Sequence, residues 1–195
     1  MVTDEQTSRQ AQATESMNRI YETAVDLLRE KGFESVSIAE ICRRAGVSVG
    51  LFYYYFPSKI DILKEKFRRA DCYFNDQVRN SLTEGSVTEK IRNYIRTYLS
   101  YVESEGVDLI RNFYTTSNTF FVQRGRPMQD VLITIITAGQ QQNTIRADMD
   151  PETCVDFIFT VLRGIIFDWS LRNGSYSITT DTARHVDMIL GYLTS

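Results

Sequence analysis

Apolar residues recur along most of the chain at spacings of three and four, and no clear alternation of period two marks a half-buried strand. The pattern predicts an all-α protein of about nine helices. Residues Met1 to Glu15 are polar after Val2 and read as a flexible N-terminal arm. Ile20, Ala24, Leu27 and Leu28 then form a stripe that stops at Lys31-Gly32, where a basic last turn meets a C-terminal glycine. Ser37 and Glu40 have the spacing of a capping box, in which the serine oxygen accepts an N–H and the glutamate reaches back. That box opens a short helix on Ile38, Ile41, Cys42 and Ala45, which must end at Gly46. Ser48 caps a second short helix, which must stop before Phe56-Pro57 because proline disfavours helical geometry in the residue before it. Ser58-Lys59-Ile60-Asp61 starts a fourth, longer helix that carries Ile62, Leu63, Phe67, Ala70 and Phe74 to about Leu82.

Beyond Glu84-Gly85 the period stays helical. Ile91, Ile95, Tyr98, Leu99 and Val102 form one stripe. Val155, Phe159, Leu162, Ile166 and Trp169 form another, behind the start signal Asp150-Pro151. Val107 to Thr116 and Pro127 to Gln142 are weaker helical segments on either side of the irregular run Gln123 to Arg126, and a last helix spans about Thr180 to Leu193. No internal repeat or low-complexity tract interrupts this order.

Two short, separately capped helices joined at Gly46 have the spacing of a helix-turn-helix, whose second helix enters the DNA major groove while the first braces it. Ser48 to Tyr55 is then the reading segment. Ser37 and Ser48 place hydroxyls and N–H groups at helix N-termini, where the macrodipole favours phosphate. Lys59 lies in a first turn, a poor site for a cation on intrahelical grounds, and an outside phosphate would remove that conflict. In the run Phe52 to Phe56, Phe52 and Phe56 share a face that is assigned to the core, leaving Tyr53, Tyr54 and Tyr55 to point elsewhere. Two readings stand for each tyrosine: contact with phosphate or a thymine methyl, or packing with the hydroxyl at the rim.

Net charge at first argues the other way. With 22 Lys plus Arg against 25 Asp plus Glu, the chain of 195 residues carries −3, which does not advertise a nucleic-acid partner. From Arg43 to Arg69, however, seven basic residues face two acids, a local +5 that leaves −8 on the rest. No window approaches the ~18 uninterrupted apolar residues of a membrane span, and the first thirty residues show no signal-peptide pattern. The expectation is a cytoplasmic protein without membrane association. Cys42, Cys72 and Cys154 lack disulfide or metal-ligand spacing and read as small apolar fillers. The single histidine, His185, has no nucleophile at motif spacing, and the carboxylates form no di-metal pattern. Catalytic residues, metal ligands and cofactors are therefore expected to be absent. A helical enzyme and a ligand carrier that has lost DNA binding are the two alternatives; the second conflicts with the intact Ser48 to Lys59 segment.

Ala24 to Leu28, Gly32-Phe33, Val36-Ser37-Ile38, Glu40-Ile41, Ala45 to Ser48, Gly50, Phe52-Tyr53, Tyr55-Phe56, Ser58-Lys59 and Leu63 together resemble the DNA-binding domain of the TetR family of bacterial transcriptional regulators. The resemblance covers about Ile20 to Phe67. It implies backbone contacts from Ser37, Ser48, Tyr53 and Lys59, groove or base contacts from Val49, Gly50, Leu51 and Tyr54, and a further phosphate contact at Tyr55. Leu51 and Cys42 depart from the commonest threonine and alanine, so Leu51 suggests apolar contact in place of hydrogen-bond readout.

The resemblance also implies an arm over 1–15, an N-terminal three-helix helix-turn-helix DNA-binding domain over 16–62, and a C-terminal helical effector-binding and dimerisation domain over 63–195. Its implied partners are a double-stranded DNA operator, an unidentified small-molecule effector, and a second copy joined through the last two helices, about 152–171 and 180–193. Tyr98, Tyr101, Val102, Arg111, Phe113, Tyr114, Phe120, Phe121 and Trp169 are candidates for the effector pocket, against the competing reading that aromatics at helical spacing are simply core. For the dimer, Phe157, Ile158, Ile165 and Phe167 make one helix apolar on several sides, Gly164 suits close helix approach, and Val186, Ile189, Leu190 and Leu193 would complete a four-helix interface. Two-fold symmetry then calls for an inverted repeat with half-sites ~34 Å apart or slightly more. The family's usual sign is repression, with the effector acting through the fourth helix to release DNA.

Overall fold

The computed structural model describes residues 4–115 and 118–194. Among them every regular element is helical: α1 (Asp4–Lys31), α2 (Ile38–Ala45), α3 (Val49–Tyr55), α4 (Lys59–Tyr73), α5 (Val87–Glu105), α6 (Val107–Phe113), α7 (Pro127–Gln141), α8 (Pro151–Leu171) and α9 (Ala183–Thr194). A π-helical turn (Phe74–Val78) and a last turn (Arg79–Ser81) prolong α4, so that helix ends where the stripe through Phe74 predicts. Short helices Thr119–Val122 and Ile178–Asp181 lie in the connections. The chain divides into two compact units, Met1–Lys66 and Phe67–Ser195, a turn later than the boundary expected at residue 62.

In the first unit α2 packs on α1 and α3. Its interior takes Ile20, Ala24, Leu27 and Leu28 from α1, Ile41, Cys42 and Ala45 from α2, and Phe52, with Phe56 following α3. Helix α1 begins at Asp4, so the stretch read as an arm is helical over residues 4–15, and Met1 to Thr3 lie outside the described residues. Its Gln, Ala and Glu content favours a helix even where residues such as Gln10, Ala11 and Gln12 are exposed. The turn between α2 and α3 is fixed by Gly46, in the left-handed conformation at φ 66°, with the Val47 N–H donating to Cys42 O at 3.0 Å.

In the second unit α5 packs on α7, α9 and the short Ile178–Asp181 helix, and α8 packs on α6 and α7. The core is Phe74, Tyr94, Ile95, Leu99, Val102, Ile110, Leu132, Ile136, Ile158, Leu162 and Ile166. Asp150 caps α8 by accepting the Thr153 N–H at 2.8 Å, with Pro151 in the first turn. Helix α6 stops at Phe113, short of the expected Thr116, which lies outside the described residues. The expected last helix is two pieces, because Ser177 caps a separate turn before α9. One expected assignment is reversed by the packing: Val186, Ile189, Leu190 and Leu193 of α9 are all buried within this chain. Periodicity shows that a face is covered; it does not show whether the cover is the same chain or a second copy.

Candidate nucleic-acid interface

Ser48 has an extended backbone, φ −74° and ψ 153°, and its Oγ accepts the Leu51 N–H at 3.1 Å. That cap starts α3, and Phe56, extended at φ −130° before Pro57, ends it after seven residues. Phe52 is fully buried and its ring meets Phe56 at 5.9 Å, so the aromatic run is anchored through these two positions as their spacing predicts. The remaining side chains are turned out: Tyr54 is 78% exposed, Tyr53 51% and Val49 46%. Ser48 and Gly50 are exposed beside them, while Leu51 and Tyr55 are half-buried. Tyr54 and Tyr55 meet edge to face at 4.9 Å, and Tyr53 meets Phe52 in the same way at 5.7 Å.

Gly50 has no internal reason to be glycine. A Cβ added there would meet only Ser48 Oγ, at 3.9 Å, yet a glycine inside a helix costs ~1 kcal/mol relative to alanine. The bare backbone therefore leaves room for a surface outside the chain.

Ser37 caps α2, its Oγ accepting the Glu40 N–H at 3.1 Å. The reciprocal half of the expected box is replaced, because the Glu40 carboxylate takes a hydrogen bond from Lys31 Nζ at 2.5 Å. A charged donor is stronger than the neutral amide it displaces, and it holds Glu40 below the usual carboxylate range. Lys59 likewise finds partners the sequence does not reveal. Its Nζ donates to the carbonyls of Phe33 (2.5 Å) and Val36 (2.9 Å) and sits 4.3 Å from the centre of the Phe33 ring. Those carbonyls and the ring, within the same unit, offset the charge that opposes the helix dipole, so no outside phosphate is needed to explain the lysine.

The local surplus of positive charge is also smaller in space than along the chain. Arg44 makes a two-point contact with Glu30 at 2.7 and 2.9 Å, and Lys64 pairs with Asp61 at 2.8 Å. Glu30 and Glu40 lie outside the counted segment but fold beside it. Cys42 is buried, which raises its thiol pKa and fits a packing role.

The nine effector candidates separate in the second unit. Phe67 and Phe113 stack at 3.8 Å, Phe121 meets both rings at 6.0 and 4.9 Å, and Tyr114 meets Phe121 at 4.3 Å. Phe120 lies 5.8 Å from Phe113, and the Tyr98 and Tyr114 hydroxyls are hydrogen-bonded at 3.2 Å. Phe67, Tyr98, Val102, Phe113 and Phe121 are buried here, with Tyr114 and Phe120 half-buried against them. Trp169 donates Nε1–H to Tyr176 O at 2.9 Å, and Arg111 donates to Ser170 O at 3.1 Å and to the Asn173 side-chain oxygen. Of the nine, Tyr101 lines an open cavity, of about 560 Å³, with Tyr73, Arg96 and Ser100. Among the described residues no group of three or more His, Cys, Asp or Glu is placed to hold a metal, and no helix is long and apolar enough to cross a membrane.

Residues 20–65, which contain the caps, the Gly46 turn and all of α3, match the family described as bacterial regulatory proteins, tetR family. These residues are a TetR-family DNA-binding segment. The chain is similar to the fatty acid metabolism regulator protein of Bacillus subtilis (strain 168), 21% identical over 167 residues that cover 82% of this chain and 86% of that protein. Over 77 residues it is 31% identical to the HTH-type transcriptional regulator BetI of Klebsiella pneumoniae (strain 342), covering 38% of this chain and 40% of BetI. Its fold is that of Thermus thermophilus FadR, a structure solved with lauroyl-CoA, at a TM-score of 0.76 and 20% identity over 90% of this chain and 94% of that one. DNA binding through a helix-turn-helix, and with it transcription regulation, comes with that segment.

Proposed function

We propose that this chain is a TetR-family repressor that binds an inverted-repeat operator as a homodimer and leaves it when an amphipathic, largely apolar effector occupies the C-terminal unit. Acting on chromosomal DNA, it works in the cytoplasm. The observation that carries the DNA half is the outward face of α3, where Ser48, Val49, Gly50, Tyr53 and Tyr54 are exposed together on a helix anchored through Phe52. In this reading Val49, Gly50, Leu51 and Tyr54 meet the groove, and Ser37, Ser48, Tyr53 and Tyr55 meet phosphate. Lys59 supports the fold first and phosphate second, through the part of its ammonium that the carbonyls leave unused.

The dimer is supported by an apolar set that keeps Phe157, Phe167 and Gly164 from the expected one and replaces the buried α9 stripe with Met188 and Tyr192. Phe167 is 50% exposed and Leu171 63% on α8, with Met188 67% exposed on α9 and Tyr192 beside Phe157 at 4.8 Å. A Cβ added at Gly164 or Gly191 would meet nothing within 4 Å, so the two helices offer bare backbone for close approach by a second copy. For the effector, the lauroyl-CoA of the Thermus thermophilus structure points to an acyl thioester, with an apolar chain and an anionic nucleotide end.

A gel shift of the full-length protein on DNA upstream of its own gene, with and without lauroyl-CoA, tests this reading. A salt-dependent, sequence-specific shift that lauroyl-CoA reverses is the expected result. No specific shift would sink it.

A further inference from the structure

Arg92, Arg96, Ser100 and Ser104 recur at spacings of four on α5 and so share one side of it. At 1.5 Å of rise per residue this polar stripe is about 18 Å long. It floors a hollow in the surface. Tyr73 from the end of α4 and Thr179 from the Ile178–Asp181 helix line the cavity of about 560 Å³ together with Arg96, Ser100 and Ser104. A second cavity of about 310 Å³ shares Arg96 and Thr179 and extends to Arg92. The larger one has the size of an ordinary small-ligand site, ~300–1,000 Å³.

Three chemistries line the hollow. Two guanidinium groups stand toward the N-terminal end of the stripe, and the hydroxyls of Thr97, Ser100 and Ser104 and the rings of Tyr101 and Tyr73 line the larger cavity with Arg96. Tyr73 is 49% exposed, its ring meeting Phe74 edge to face at 5.8 Å. Arg92 is held by one exposed carboxylate, Asp187, at 2.5 Å, and neighbouring Arg96 makes no ion pair among the described residues. An inorganic anion would use the guanidinium groups and ignore the rings. An apolar acid would leave the hydroxyls and one arginine without partners. A nucleotide uses all three parts: its base stacks on tyrosine, its ribose meets hydroxyls, and its phosphates take the planar N–H forks of arginine.

We propose that this groove binds a nucleoside diphosphate group, with the base against Tyr73 and the phosphates at Arg96 and Arg92. We assign to it the nucleotide end of the amphipathic effector, an assignment that rests on the acyl-thioester reading above. The groove itself does not rest on that reading.

The test is calorimetric titration of the full-length protein and of its Arg96→Ala and Tyr73→Ala variants with ADP, adenosine and inorganic pyrophosphate, with operator release by lauroyl-CoA followed on the same proteins. Both side chains are exposed, and unchanged melting temperatures confirm that the variants fold. Wild-type protein is expected to bind ADP more tightly than either fragment. Arg96→Ala should weaken ADP at least tenfold, and Tyr73→Ala should abolish the preference for ADP over pyrophosphate. Equal binding of ADP and pyrophosphate by the wild type, or unchanged ADP binding by Arg96→Ala, overturns the groove. If lauroyl-CoA then releases wild type and Arg96→Ala alike, the effector reading survives without the groove. If lauroyl-CoA releases neither while ADP binding depends on Arg96, the groove stands and the effector reading falls.

Discussion

Arg126 donates from Nε and Nη2 to the two carboxylate oxygens of Asp71, at 3.0 and 2.8 Å, with both side chains buried. The guanidinium also lies 4.3 Å from the centre of the Phe120 ring, and it donates to Met128 Sδ at 3.0 Å. The pair ties the end of α4 to the start of α7 across 55 residues of sequence. Removing the arginine alone leaves a buried carboxylate without its charge partner. Arg126→Met should therefore cost ~3–5 kcal/mol in urea unfolding, and Asp71→Leu with Arg126→Met much less.

The same pair sets a pH dependence. Burial raises the Asp71 pKa, and the bonds from Arg126 act against that rise without cancelling it. A carboxyl raised in the folded state binds protons more readily folded than unfolded. Its contribution is complete below the ordinary carboxylate range and declines as pH rises through the folded pKa. Without Arg126 the rise is larger, so the Arg126→Met penalty should shrink as pH falls. A penalty that stays constant across the acid range would show that Asp71 does not respond to its partner.

Gly46 at φ 66° has nothing within 4 Å of an added Cβ, so any cost of substitution there is conformational. Gly46→Ala should destabilise the protein by ~1–2 kcal/mol. Gly46→Asn, which tolerates the left-handed region better, should recover part of that loss in thermal unfolding.

Lys59→Met distinguishes a structural lysine from one that serves phosphate alone. The two carbonyl bonds and the Phe33 ring predict a loss of about 1–2 kcal/mol for this half-buried group. If only DNA contact mattered, the melting temperature would not move and operator affinity alone would drop.

The exposed apolar set on α8 and α9 predicts that Phe167→Glu combined with Met188→Glu separates the dimer while leaving the monomer folded. Sedimentation velocity reads this directly, and a wild-type protein that sediments as a monomer would contradict it.

Features governed by neighbours a few residues apart were legible in the sequence: the caps at Ser37, Ser48 and Asp150, the left-handed turn at Gly46, and the inward Phe52–Phe56 pair. Those decided by distant partners were not. Lys59 is claimed by carbonyls 26 and 23 residues away, Glu40 by Lys31, and Asp71 by Arg126. The α9 stripe shows the same limit, since a buried face looks alike whether the same chain or a second copy covers it. Aromatic residues at helical spacing marked Phe113 and Phe121 as buried without separating core from pocket. The polar stripe of Arg92, Arg96, Ser100 and Ser104 was missed, because the apolar pattern follows the opposite, buried face of the same helix. Its meaning required Tyr73 and Thr179 to be brought over it.

The central claim is that the open face of α3 exists to receive DNA, and Gly50→Ala tests it because folding and function pull in opposite directions there. The added methyl meets only Ser48 Oγ at 3.9 Å and favours the helix, so stability should rise by up to ~1 kcal/mol. Binding of wild type and variant to the upstream DNA, measured by fluorescence anisotropy, should show specific affinity for the wild type and at least a tenfold loss for the more stable variant. Equal affinity of the two proteins for that DNA would contradict the account.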